Sequence, residues 1–160
     1  MRRRSVLGSV GVLFLAGCTS SGTDSGTTTT PSSGKGTTSS SASPTVTESS
    51  LRVTNAECGS QGAGKASVSF GSVSVSVPGT VVGNNACYRA RLADVSYDAA
   101  SGTCRVVIEA FNASPEEMCA QCITVIDYEA TVEFEGGLPD TVEVVHDDMS
   151  GRSTVATTSG

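Results

Sequence analysis

The run Ile123-Thr124-Val125-Ile126-Asp127-Tyr128-Glu129-Ala130-Thr131-Val132-Glu133-Phe134-Glu135 decides the fold class. Ile126, Tyr128, Ala130, Val132 and Phe134 share one parity, and Asp127, Glu129, Glu133 and Glu135 share the other. Strand side chains alternate between faces, so this period of two predicts a strand with one buried face. Gly136-Gly137-Leu138-Pro139-Asp140 then reads as a turn, and Thr141 to Asp147 as a second strand paired with the first.

The same alternation extends toward the N-terminus. Val68 and Phe70 alternate with Ser67 and Ser69. Val73, Val75 and Val77 alternate with Ser72, Ser74 and Ser76, until Pro78-Gly79 interrupts the run. Tyr88 to Asp98 is a mixed strand, and Ala99-Ala100-Ser101-Gly102 turns into Thr103–Phe111, where Cys104, Val106, Ile108 and Ala110 share a face. Ser114-Pro115-Glu116-Glu117 breaks the pattern with a helix-start signature: a capping hydroxyl, proline at the first position and Glu117 placed for a capping box. The expected fold is all-β, a small antiparallel β-sandwich, Ig-like or barrel-like, with one short helical turn and disulfide staples.

The N-terminus carries different information. Met1-Arg2-Arg3-Arg4-Ser5-Val6-Leu7 leads into an apolar run ending at Ala16, the parts of a secretory signal. The run from Val6 to Ala16 is too short to span a bilayer, which needs about 20 apolar residues. Consecutive arginines before Ser5-Val6-Leu7 resemble a twin-arginine export signal. Leu15-Ala16-Gly17-Cys18 resembles a lipobox, in which Cys18 takes two lipid chains and becomes the new N-terminus. Two chains suffice for stable anchoring, at about 0.8 kcal/mol per buried methylene. From Thr19 to Ser50 nearly every residue is Ser, Thr or Gly, with Val46 the only large aliphatic residue. Such a segment cannot bury enough apolar surface to offset its ordering entropy and predicts a tether reaching about 30 Å. The expected organisation is a signal peptide over 1–17, a lipid-anchored disordered stalk over 18–50, a β-sandwich domain over 51–148 and a flexible tail over 149–160.

The formal net charge is -6, and removing Arg2, Arg3 and Arg4 with the signal takes it from -6 to -9. That sign argues against nucleic acid as a partner. The expected partners are the membrane, through the lipid anchor, and an unidentified protein or small ligand. No cofactor is expected.

Five cysteines fall within the predicted domain. In an exported domain of this size disulfides are the default, and each adds about 2–4 kcal/mol. Cys58, Cys87, Cys119 and Cys122 sit in loops or at element ends and are the disulfide candidates. Cys104, on an apolar face, is the expected free thiol. Their connectivity is not readable from the sequence. Cys119-Ala120-Gln121-Cys122 also invites a redox or metal-binding reading, but a reactive thiol of that type belongs at a helix N-terminus after a strand, and a strand follows here.

The remaining motifs are weak. Gly59-Ser60-Gln61-Gly62-Ala63-Gly64-Lys65 nearly matches a phosphate-binding loop, yet Ala66 stands where a Mg²⁺-ligating hydroxyl is required. His146 is the only histidine, which excludes two-histidine metal sites; its parity with Val142 and Val144 predicts a semi-buried structural role. Asp127, Glu129 and Glu133, with Glu143 on the expected partner strand, form a weak cation-site candidate whose bland alternative is a solvated acidic face. Asn112-Ala113-Ser114 is a glycosylation sequon, weakened by the following Pro115.

The triple-arginine signal, Leu15-Ala16-Gly17-Cys18, the Ser/Thr stalk and the lysine-poor acidic domain together resemble small lipoproteins of halophilic archaea, a functionally uncharacterised group. Cys119-Ala120-Gln121-Cys122-Ile123, Tyr128-Glu129-Ala130-Thr131-Val132 and Gly136-Gly137-Leu138-Pro139 look like a recurring segment of such proteins. The resemblance implies a dialkyl glyceryl anchor and carries over no active site. The expected function is a non-enzymatic binding or envelope-structural module, lipid-anchored on the outer face of the cytoplasmic membrane at the cell surface. The alternative is a thiol-redox or metal-handling lipoprotein using Cys119 and Cys122.

Overall fold

The computed structural model of the chain describes residues 43–60, 62 and 64–160. The expected signal peptide, Cys18 with its expected lipobox, and the expected stalk up to residue 42 lie outside the described residues. Among the described residues there are nine strands and no helix: β1 (Thr45–Cys58), β2 (Lys65–Ala66), β3 (Ser69–Phe70), β4 (Ser74–Gly83), β5 (Tyr88–Asp98), β6 (Thr103–Asn112), β7 (Thr124–Glu135), β8 (Thr141–Asp148) and β9 (Gly151–Ser159). They form two sheets. One runs β1-β7-β4-β2, with β3 also paired to β4, and the other runs β5-β6-β8-β9.

The inward parities of both sheets meet in one core. Ile126, Tyr128, Ala130, Val132 and Phe134 of β7 are all buried, as are Val75, Val77 and Val81 of β4. Facing them from the second sheet are Cys104, Val106 and Ile108 of β6 and Val142 and Val144 of β8. Val107 and Val145 are also buried, but on the outer parity, where they pair across β6 and β8. Ion pairs Arg91–Glu109, Arg105–Glu143 and Arg152–Asp147 lie along these same paired strands. The aliphatic stems of such side chains shield apolar neighbours while their charged ends stay in water.

The structure corrects the expected pairing of β7 with β8. The Gly136–Asp140 link does not close a hairpin. It carries the chain from one sheet to the other, and β8 pairs in parallel with β6, Thr103 opposite Thr141 through Glu109 opposite Asp147. The second sheet is therefore mixed rather than purely antiparallel. Gly136 and Gly137 take φ values of 83° and 135°, a region open to glycine, and so turn the chain out of the plane of β7. An apolar inner face satisfies the β8 alternation in either sheet, so parity alone does not choose the partner.

Three boundaries also differ. β1 begins at Thr45, inside the expected stalk, because Val46 and Leu51 pack on the core and Thr45–Cys58 pairs along β7. The C-terminal segment is a strand rather than a tail: β9 pairs with β8 from Thr141 opposite Ser159 to Asp148 opposite Gly151, and Val155 and Ala156 pack on the core. Pro78-Gly79 does not end its strand. β4 runs through it, and the proline sits where β4 exchanges one edge neighbour, β3 at Val75 and Ser76, for another, β2 at Gly79 and Thr80. At Ser114–Glu117 the chain closes one turn, with Glu117 N–H donating to the Ser114 carbonyl at 3.1 Å.

Two disulfides close the end of the sandwich where β1 finishes and β7 begins. Cys58 joins Cys122 and Cys87 joins Cys119, with Cα separations of 5.6 and 5.7 Å. They span 64 and 32 residues, so each removes about 4 kcal/mol of loop-closure entropy from the unfolded chain. A fold stapled this way belongs to an oxidising, extracellular environment.

Candidate functional site

The cysteines define the first question. Cys119 and Cys122 are not bonded to each other. Each is tied to a different strand end, so the Cys-x-x-Cys spacing serves two separate bridges rather than one exchangeable dithiol. Cys104 is the free thiol and is 1% exposed. Burial disfavours the thiolate and pushes its pKa up to about 11, the opposite of what a nucleophilic cysteine requires.

The acidic candidates do not converge. Asp127, Glu129 and Glu133 lie on the outer parity of β7, as alternation predicts, but Glu143 is on β8 in the other sheet, salt-bridged to Arg105 at 3.7 Å. Glu129 is paired with Arg52 at 2.6 Å, and Asp127 accepts a hydrogen bond from the Thr80 hydroxyl at 2.7 Å. Among the described residues no group of three His, Cys, Asp or Glu side chains is placed to hold a metal ion. The four-residue cation site is thus overturned by topology: the strand pairing it required does not form.

The most distinctive polar feature lies inside the sandwich. Tyr128 of β7 and His146 of β8 bridge the two sheets through a 2.7 Å hydrogen bond between the tyrosine hydroxyl and Nε2. Their rings meet edge-on, with centroids 5.7 Å apart at 74°. Tyr128 is 2% exposed and His146 1%. The local sequence explains the geometry. Gly79 lies opposite Tyr128 on β4, and a Cβ there would collide with the phenol hydroxyl and come within 2.8 Å of the Lys65 carbonyl. Only glycine leaves the tyrosine room to extend past its neighbour strand.

On the other side of the imidazole, Nδ1 is buried and has no hydrogen-bond partner among the described residues. Gly64 packs over it: a Cβ on Gly64 would lie 2.8 Å from Nδ1, 3.2 Å from the Asp148 carboxylate and 3.3 Å from the Thr80 carbonyl. Burial lowers the histidine pKa to about 4, and the Asp148 charge opposes that shift. His146 is therefore neutral at physiological pH. Burial also raises the Tyr128 pKa above its ordinary value, so the hydroxyl stays protonated. The Tyr128–Nε2 bond ties the two sheets together at this point and leaves Nδ1 as the unpaired end of the ring among the described residues. The two side chains offer no acid or base to solvent.

A groove of about 560 Å³ lies where β2, β4 and β7 run side by side, and Thr54, Lys65, Ser67, Thr80 and Asp127 line it together with Gly79 and Tyr128. A second hollow beside it shares Lys65, Thr80 and Asp127 and reaches Ser60 and Gly62. The near-match to a phosphate-binding loop therefore becomes the rim of a surface hollow, followed by a two-residue strand and not by a helix. Comparison with known protein families, curated proteins and solved structures finds no match to this chain.

The Tyr128–His146 bond and the Gly79 clearance were not read from the sequence. Parity nonetheless held the clue. Tyr128 shares its face with Ile126 and Ala130, and His146 shares its face with Val142 and Val144. Two polar side chains on apolar faces each need a partner, and each is the natural partner of the other.

Proposed function

We propose that this chain is an exported lipoprotein, anchored through Cys18 to the outer face of the cytoplasmic membrane, whose sandwich is a non-catalytic surface module for binding or envelope structure. The observation that carries the non-catalytic reading is where the titratable chemistry sits. The single histidine and the free thiol are each 1% exposed, the first neutral and the second protonated, while the other four domain cysteines are consumed in bridges. Histidine- or thiol-based catalysis needs such a group where substrate can reach it. The anchor rests on Leu15-Ala16-Gly17-Cys18, with 26 residues between Cys18 and the first residue of β1. The oxidising environment implied by the disulfides agrees with export.

Fractionation of cells making the full chain and Cys18→Ser tests the anchor. Wild-type protein is expected in the membrane fraction, and the variant is expected to be released or left unprocessed. A variant that is cleaved correctly and stays membrane-bound refutes the lipobox. Thiol and metal counts on the same purified wild-type protein test the module: a dithiol that cycles with a reductant, or a stoichiometric metal, refutes the non-catalytic reading.

A further inference from the structure

Asn112-Ala113-Ser114 closes β6 at the disulfide-stapled end of the sandwich. The Asn112 side-chain carbonyl accepts a hydrogen bond from the Ser114 backbone N–H at 3.0 Å. This folds the side chain back over its own backbone, with Oδ1 as the acceptor, and leaves Nδ2 out of that bond. Ala113 N–H donates to the Cys87 carbonyl at 3.0 Å, so the segment is held by the Cys87–Cys119 staple. Asn112 opens into a hollow of about 420 Å³ whose other walls include Asn85, Pro115 and Gln121. Among the described residues the only buried side-chain nitrogen or oxygen without a partner is His146 Nδ1, so Asn112 Nδ2 is not sealed in the core.

We propose that Asn112 is an N-glycosylation site, modified on the folded, exported domain by a membrane transferase that uses a sugar carried on a polyisoprenyl phosphate or diphosphate. Nδ2 attacks the anomeric carbon of the carried sugar. The N–C bond forms as the bond from that carbon to the phosphate oxygen breaks. The electron pair leaves with the phosphate, and one Nδ2 proton is lost to a base of the transferase. An amide nitrogen is a poor nucleophile because its lone pair is delocalised, which is why the acceptor motif requires a hydroxyl two residues on. Here that hydroxyl belongs to Ser114. Pro115 directly follows the motif and weakens it as an acceptor, so the proposal rests on the turn that presents Asn112 and not on the motif alone. A glycan at this strand end would project from the sandwich, where bulk and hydration are tolerated.

The proposal rests on export of the domain, and the test separates the two. Full-length wild type, Ser114→Ala, Ser114→Thr and Asn112→Gln are made in cells that export the protein natively, fractionated, and mapped by peptide mass. Wild type and Ser114→Thr are expected to carry sugar on the Asn112 peptide. Ser114→Ala and Asn112→Gln are expected to lose it completely. Ser114→Ala retains the backbone N–H that bonds Asn112, so equal melting temperatures for it and wild type exclude misfolding as the cause of the loss. An unmodified Asn112 peptide from membrane-located wild-type protein overturns the glycosylation while leaving the anchor intact. Sugar retained in Ser114→Ala overturns it as well.

Discussion

Acidification should destabilise this domain through His146. The imidazole has an ordinary pKa of 6.5 and is lowered by burial to about 4 in the fold. Because the folded pKa lies below the unfolded one, the unfolded chain binds the extra proton between these values. Stability is then fully present above pH 6.5 and is lost as pH falls toward 4. The gap between those values corresponds to about 3 kcal/mol at the acid limit, most of it already lost by pH 4.5. Asp148 is the opposing charge, so Asp148→Asn should steepen the loss. The assay is urea unfolding from pH 7.5 to 4.5 with disulfides intact, for wild type and His146→Gln. The glutamine can still meet the Tyr128 hydroxyl but does not titrate. Wild type should lose about 1–2 M in urea midpoint beyond what the variant loses over the same range. Carboxylates common to both proteins cancel in that difference. Parallel pH profiles would refute the reasoning, because they would mean that the imidazole protonates as readily in the core as in water.

Gly79→Ala should cost about 3 kcal/mol or more in urea unfolding, since the added methyl lands on the Tyr128 hydroxyl and against the Lys65 carbonyl, both held by the sheet. Cys104 should give no reaction with a thiol reagent in native buffer and one equivalent in denaturant, because it is 1% exposed with its pKa pushed up to about 11. Glu133 stands directly opposite Glu48 across β1 and β7, so Glu133→Lys should raise stability by about 0.5 kcal/mol in dilute buffer. That gain should vanish in molar KCl, where the Debye length is about 3 Å; a gain independent of salt would point to packing instead.

Alternation told which side of a strand is buried, and the structure agrees along β7, whereas on β6 Val107 is buried on the outer parity as well. The same rule says nothing about which strand lies alongside. β7 and β8 illustrate the gap. Their parities and the glycine-rich link between them fit a hairpin and a sheet-to-sheet crossing equally well, because both outcomes bury Val142 and Val144. What separates them is whether β6 gains a parallel neighbour, a contact between residues far apart in the chain that leaves no local mark. The failure of the cation site follows directly. Glu143 lies on the outer parity as expected, but a ligand set needs neighbours as well as orientation, and its neighbour is Arg105. β9 failed for a related reason. An edge strand draws its order from the hydrogen bonds of β8 and needs only Val155 and Ala156 on the core, so its Ser- and Thr-rich composition reads as a frayed end. The Tyr128–His146 bond lies between these cases. The sequence places both polar groups on buried faces, and the cost of leaving either unpaired, about 1–3 kcal/mol, argues that they meet. Either topology lets them meet: a hairpin through Gly136–Asp140 would set Tyr128 and His146 as diagonal neighbours on one face, and the crossing sets them opposite each other in two sheets, so the pairing of β8 with β6 is not carried by this bond either.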